Sequence, residues 1–512
     1  MRITEQTLQA LEAAGSGLDQ LQRGIEKESL RVSGDGNLSL RPHPAALGSA
    51  LTHSAITTDF SEAQLELITS VHNSPESCLQ ELAEIHQYVH ANLIGELLWP
   101  SSMPCILGAE GDAIPIGQYG RSNIGMTKTV YRRGLGHRYG RLMQTISGIH
   151  YNFSIPNALW QRLGITEQQQ RTEAYFSLIR NFRRSSWLLI YLFGASPAVC
   201  RSFLQSPDHG LQALSDGTFY LPFATSLRMG RLGYQSAAQS ELHISYNSLE
   251  EYSTTMRAGL TTSYAYYANI PVNQNGNYQQ LNDSILQIEN EFYGTIRPKR
   301  TAQSGERPLT ALGQSGVEYI EVRCVDLDPF EPIGINAEHI RFLDTFLLLC
   351  LLTDSPIDSR EESARMVRNQ TAVVERGRQP GLHLERDQES VALQQWGEEL
   401  LEQCTQIAEL LDQQTASNLY THTLNAQKAK VQDPHLTPSA QVIAALTDGQ
   451  SFFDFTMQNA KQHAEFFAQR TGDQQRQAQL HSEAAASLVQ QRAIEDADKL
   501  SFPEFVDNYL SL

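Results

Sequence analysis

The sequence predicts an α+β fold, an antiparallel sheet covered on one face by helices. Three observations lead there. Four segments alternate with the two-residue period of a strand. Their polar positions carry carboxylates, an imidazole and amides, which suits a sheet with one face on a core and the other open. Stretches at helical spacing lie between the strands and dominate after residue 385.

A helix is expected within residues 1–20, followed by a strand in "RGIEKESLRV" (23–32). Alternation puts Glu26, Glu28, Leu30 and Val32 on one strand face, and Ile25, Lys27, Ser29 and Arg31 on the other. In "TTDFSEAQLELIT" (57–69), Ser61, Ala63, Leu65 and Leu67 form a mostly apolar face opposite Glu62, Gln64 and Glu66. Asp59 lies just upstream, near the strand end or in its turn. A helix spans 75–98, with Pro75 near its start. "QTISGIHYNFSI" (144–155) turns Ile149, Tyr151, Phe153 and Ile155 to a core, and Gln144, His150, Asn152 and Ser154 away. Helices are expected in "IPNALWQRLG" and across 167–193, loops over 205–220 and 270–283, and strands over 284–292 and 317–325. The last of these places Glu321 and Arg323 on the face of Val317 and Tyr319. A buried helix follows at 337–353, and further helices at 388–413, 437–447, 456–470 and 473–497. The texture divides the chain into a catalytic region, 1–384, and a mostly helical region, 385–512. Loops around 120–140 and 205–240 are candidate lids.

The 512 residues allow about three domains, or one large catalytic region with helical additions. A formal charge of −18 argues against nucleic acid as partner, which needs a basic surface. Local basic clusters at Arg132-Arg133, Arg183-Arg184 and "RPKR" (297–300) leave room for an anionic small ligand. The six cysteines are scattered, with neither a disulfide framework nor thiolate metal spacing, which fits a reducing cytoplasm. The first residues read as an amphipathic helix rather than a signal peptide, and "WLLIYLFGASPAVC" and "FLLLCLL" are too short to span a bilayer.

Two carboxylates side by side on a strand face are unfavourable unless a cation lies between them or water solvates them. For each glutamate alone, a solvated sheet face is the ordinary explanation. Four strands offering oxygen and imidazole donors together point to Mg²⁺, with Mn²⁺ possible, in more than one copy. Several such ions suit a triphosphate. No G-x-x-x-x-G-K-[ST] motif is present, so ATP would need a non-Walker scaffold. "ENEFYGTIRPKR" (289–300) offers Arg297, Lys299 and Arg300 either as phosphate contacts or as a solvated basic loop, and Pro298 keeps it extended or turned. A metal-dependent hydrolase and a non-catalytic ion- or amino-acid-binding protein remain open on these residues.

The motifs "HPAALGSALTH", "TTDFSEAQLELIT", "LWPSSMPC", "YGRLMQTISGIHYNFS", "YLFGASPAVC", "PFATSLRMGRLGY", "LQIENEFYGTIRPKR" and "GVEYIEVRCVDLDPFEPIGI" run in order to about residue 335. With the strand at 23–32, they resemble the single-chain bacterial glutamate–cysteine ligase (γ-glutamylcysteine synthetase) family. The resemblance implies a glutamine-synthetase-like curved antiparallel sheet forming a funnel with metals at its base. It implies ATP-dependent joining of L-glutamate, through a γ-acyl phosphate, to L-cysteine, the first step of glutathione synthesis. It implies metal ligands Glu26, Glu28, Asp59, Glu66, His150 and Glu321, holding two or three ions. Tyr131, Tyr234 and Tyr293 resemble the family's cysteine pocket, with Arg228 on the cysteine carboxylate, and Gln144 and Asn152 contact glutamate. The resemblance also implies Arg323 as the catalytic cation and Arg297, Lys299 and Arg300 as ATP contacts. The expected protein is a cytoplasmic monomer whose partners are L-glutamate, L-cysteine and ATP.

Overall fold

The structure, a computed structural model, describes residues 3–511 apart from 4, 13, 14, 16, 105, 107–112, 205–207, 234, 235, 241, 304 and 448. Seven strands form the main sheet: β1 (Gln22–Ser33), β2 (Ile56–Thr58), β3 (Gln64–Ile68), β4 (Glu96–Leu98), β5 (Ile149–Ser154), β6 (Ile296–Lys299) and β7 (Tyr319–Val325). Their spatial order is β6-β7-β5-β1-β3-β2, with β4 paired to the far half of β1, and every pairing is antiparallel. The long β1 is the spine, pairing with β5 through Gln22–Lys27 and with β3 through Glu26–Leu30. Pro298, which cannot donate to a ladder, sits in β6 at the sheet edge.

Within the strands that form, the alternation is the expected one, but the stretch expected as one strand over 57–69 is split by a turn. The strand expected from 144 begins at Ile149 after a 3₁₀ turn at Met143–Thr145. Val317, expected beside Glu321 and Arg323, precedes its strand and enters the core. Ile25, Leu65, Leu67, Ile149, Tyr151, Phe153, Ile320 and Val322 are buried in one continuous core. That core includes helices α1 (Pro75–Asn92), α3 (Gln168–Phe193) and α4 (Ala337–Leu352). Ser74 caps α1 by accepting from the Ser77 amide, with Pro75 in the first turn, and Asn336 caps α4 in the same way. Across the core, Arg23 pairs with Asp344 at 3.0 Å, and the Tyr151 hydroxyl donates to the same carboxylate. The opposite face of β1 changes character along its length. Glu26 and Glu28 border a cavity, whereas Leu30 and Val32 enter a second apolar cluster with Phe60, Trp99 and Phe452.

Several expected elements differ. The expected loop at 120–140 is largely helix α2 (Asn123–Tyr139), capped by Ser122. Its glycines and weak periodicity hid it, and Gly134 is small because a Cβ there would fall 2.2 Å from the Gln287 amide oxygen. The expected strand at 284–292 is instead loop with one 3₁₀ turn at Glu289–Glu291, whose carboxylates turn inward to Arg307 and Arg138. The helix expected to start at 388 is preceded by a hairpin, His383–Arg386 with Glu389–Ala392. The helix expected at 75–98 stops at Asn92 and yields to β4. The loop expected at 205–220 contains the strand pair Gln212–Ser215 and Thr218–Tyr220. Cys200 is disulfide-bonded, while Cys78, Cys324, Cys350 and Cys404 are free, so the scattered cysteines build no framework of several bridges. Among the described residues no helix is long and apolar enough to cross a membrane.

Candidate active site

The open face of the sheet floors a cavity of about 380 Å³. Register brings the polar residues together. Glu28 lies opposite Glu66, Glu26 opposite His150, and Arg297 opposite Glu321 in their ladders. One ligand atom each from Glu26, His150 and Glu321 lie within 4.8 Å of one another, close enough to share an ion. His150 Nδ1 is 3.3 Å from Glu26, and Nε2 is 3.7 Å from Glu28. Asn152 donates to Glu26 at 2.9 Å, and the Gly148 amide donates to Glu28 at 2.8 Å.

Cations gather at one end. Glu321 accepts from Arg323 at 2.8 Å and from Lys299 at 3.0 Å, with Arg297 at 3.8 Å. The electrostatics divide the carboxylates accordingly. Burial and the Glu321 charge push Glu26 up, but the His150 hydrogen bond and the Lys299 charge outweigh them and hold it at about 2. Burial opposes ionisation of Glu321 too, yet Lys299 and Arg323 hold it well below the usual carboxylate range. At the other end, burial and then Asp59 raise Glu28 to about 8. Burial, Glu26, Asp59 and Glu28 raise Glu66 well above its ordinary value. Opposed like charges on neighbouring strands are destabilising without a counter-charge. A hard divalent cation fits this set of carboxylate oxygens and one imidazole, and would allow Glu28 and Glu66 to ionise.

Of the expected site residues, Glu26, Glu28, Asp59, Glu66, Tyr131, Gln144, His150, Tyr293, Arg297, Lys299, Glu321 and Arg323 line this one cavity. Gln144 donates to the Tyr293 hydroxyl at 3.0 Å, joining two of them. Asn152 stands behind Glu26 rather than in the lining. Arg300 points away and lies 3.7 Å from Glu318, because the two-residue period that turns Arg297 and Lys299 inward turns Arg300 out. Arg228 is buried, donates to the Arg323 carbonyl at 2.9 Å, and borders a second cavity of about 770 Å³. Tyr293 and Arg323 line both cavities, so the two adjoin. Tyr234 lies outside the described residues. Strand alternation offered no signal for Lys128 and Arg132, which α2 brings to the wall, or for Tyr509 from the last helix. Only the basic pair Arg132-Arg133 had drawn notice. Burial and then Arg132 lower Lys128 to about 8.

A helix-backed antiparallel sheet, with carboxylates and cations converging over a cavity on its open face, is the architecture of an enzyme that can hold a divalent cation against an anionic substrate. The family model of glutamate-cysteine ligase matches residues 7–373. Glutamate–cysteine ligase of Azotobacter vinelandii is 50% identical over 95% of this chain and 93% of its own, and that of Pseudomonas fluorescens is 48% identical over 96% and 94%. Among solved structures, glutamate–cysteine ligase of Francisella tularensis in complex with AMP superposes with a TM-score of 0.91, at 37% identity over 96% of this chain and 97% of that one. A bifunctional glutathione synthetase of Pasteurella multocida superposes with a TM-score of 0.68, at 26% identity over 92% of this chain and 54% of that one. The chain belongs to the glutamate–cysteine ligase family.

Proposed function

We propose that this chain joins L-glutamate to L-cysteine at the expense of ATP, releasing γ-glutamylcysteine, ADP and phosphate, the first step of glutathione synthesis. Family membership supports the reaction class, and the Glu26–His150–Glu321 cluster beside three cations is the observation that carries the chemistry. Mg²⁺, in two or three copies with Mn²⁺ as an alternative, would be held by Glu26, Glu28, Asp59, Glu66, His150 and Glu321. When bound it would neutralise phosphate charge and polarise the transferred group.

The rest falls to the chain itself. Lys299, Arg297 and Arg323 border one end of the floor, where they would hold the triphosphate oxygens and offset charge developing on the γ-phosphoryl group. The glutamate γ-carboxylate attacks that phosphorus, releasing ADP and leaving an acyl phosphate. The cysteine amine, after losing a proton, attacks the acyl carbon and expels phosphate. Tyr131, Tyr234, Tyr293 and Arg228 would receive cysteine, while Gln144 would orient glutamate and Asn152 would act on it only through Glu26, to which it donates. Holding the reactants together supplies the proximity component of the rate. We place the enzyme in the cytoplasm as a monomer, with 1–384 as catalytic region and 385–512 as helical region packed on it.

The test incubates the protein with Mg²⁺, ATP, glutamate and cysteine, follows ADP and γ-glutamylcysteine, and omits each component in turn. One product per ADP, dependent on both amino acids, is expected. Product formation without ATP would instead mark a hydrolase, and binding without turnover a carrier.

A further inference from the structure

The last helix, α5 (Phe502–Leu510), lies in the mostly helical region set apart from the catalytic one, yet Tyr509 lines the substrate cavity. Its ring packs, with Phe502 and Leu510, against a small cluster of Val130, Leu281 and Ile288. Tyr131 packs against the same cluster from the cavity side, and the Arg307 guanidinium stands 5.7 Å from the Tyr509 ring. The segment leading into α5 grips the start of α2 independently. Asp498 accepts from the Asn123 amide at the first turn of α2, and Asn123 donates its side-chain amide to the Leu500 carbonyl at 3.0 Å. A carboxylate there satisfies a free helix amide and complements the positive end of the helix. Glu495 accepts from both the amide and the guanidinium of Arg121 at 3.0 Å. Gly120 makes this approach possible: its φ is +81°, and a Cβ there would lie 2.2 Å from Gln491 and 2.3 Å from Glu495. The helix clamped this way carries Lys128, Tyr131, Arg132 and Leu135, all on the cavity wall.

We propose that residues 495–510 form a strap that completes the acceptor side of the active site, with Tyr509 as its wall and Asp498 as its latch. The strap holds Tyr131 where the cysteine amine must arrive, and it keeps water from the reactive intermediate. Without it, water replaces the amine as nucleophile: acyl phosphate plus water returns glutamate and inorganic phosphate, so ATP is consumed with no peptide bond formed. The inference rests on the ligase reading above and adds a substrate-positioning element to it.

The test compares wild type, Tyr509→Ala, Tyr509→Phe and Asp498→Ala in the full chain, measuring KM for each substrate, kcat, and γ-glutamylcysteine formed per ADP. Tyr509→Ala is expected to raise the KM for cysteine about ten-fold and to lower the product-to-ADP ratio well below one, since small displacements near the reacting groups have large effects. Asp498→Ala should do the same more weakly, and Tyr509→Phe, which keeps the ring and loses the hydroxyl, should shift the cysteine KM and the product ratio less than Tyr509→Ala does. Thermal melting and an unchanged KM for ATP separate this from general unfolding. A cysteine KM and product ratio at wild-type values in both alanine variants would overturn the strap, as would a shift confined to ATP. A wild-type chain with no ligation at all would overturn the ligase reading instead.

Discussion

Glu28 and Glu66 face each other across two strands, and that juxtaposition is readable only in the register. Burial and then Asp59 raise Glu28 to about 8, so the metal-free folded protein binds a proton there that the unfolded chain releases near 4.5. Stability from this group is therefore present at low pH and is lost as pH rises from about 4.5 towards 8. Glu66→Gln removes one of the opposed charges. It should raise the melting temperature of metal-free protein at pH 8 while lowering ligation at least about 100-fold; a variant no more stable than wild type would show that the opposed charges do not matter. Glu26→Gln and Glu321→Gln should each abolish turnover with circular dichroism unchanged, because neutral amides cannot replace ionised ligands. Normal rates in either variant would remove that residue from the ion-binding set. Arg228→Lys should raise the KM for cysteine about ten-fold, as a single ammonium lacks the two-pronged contact of guanidinium. An unchanged KM would assign Arg228 to holding Arg323 alone.

At the scale of elements, α1 meets the helix Phe452–Gln469 through a largely buried imidazole group. His90 and His86 stack on Phe467 at 4.8 and 5.6 Å, and His86 Nδ1 meets the Leu82 carbonyl at 2.8 Å. Burial, and with it the Lys27 charge from β1, lowers His90 to about 3 and His463 to about 4, and holds His86 well below 6.5. The folded protein keeps these rings neutral while the unfolded chain protonates near 6.5. Their contribution is thus intact above 6.5 and falls as pH drops below it. One pH unit below, each ring costs about 1.4 kcal/mol. Melting temperature should decline steeply between pH 6.5 and 4, and His90→Phe, which keeps the stack, should flatten that decline. A slope identical to wild type would exclude His90 from the acid transition. Strands β1, β3, β5 and β7 and the long helices α3 and α4 were legible in the sequence because each presents a clean period, whereas the short β4 was hidden at the end of a helical pattern. Helix α2 was not, since its glycines answer to neighbours such as Gln287 rather than to local propensity.

Over the whole molecule, a cation that binds the folded carboxylates and not the unfolded chain stabilises by mass action, by about 2.7 kcal/mol at a hundred-fold excess over Kd. Mg²⁺ titration of metal-free protein should raise the melting temperature, chelator should reverse it, and Glu321→Gln should blunt the response. A melting temperature indifferent to Mg²⁺ and Mn²⁺ would argue against an ion site in the absence of nucleotide. The core spans nearly the full chain, from Leu11 to Ala484, so the C-terminal helices share it with the sheet. That sharing explains how Tyr509 reaches a cavity built mainly from residues before 335.

By itself the sequence determined the main alternating strands, the faces that their carboxylates occupy, and the long motifs of the family. Those follow from local period and residue chemistry, which hold whatever the chain does elsewhere. Only the tertiary structure decided that Glu28 meets Glu66, that Arg300 leaves the site while Arg297 and Lys299 enter it, and that the last helix furnishes a wall. Register, edge position and long-range packing belong to pairs of segments far apart in the chain, and no single segment encodes its partner.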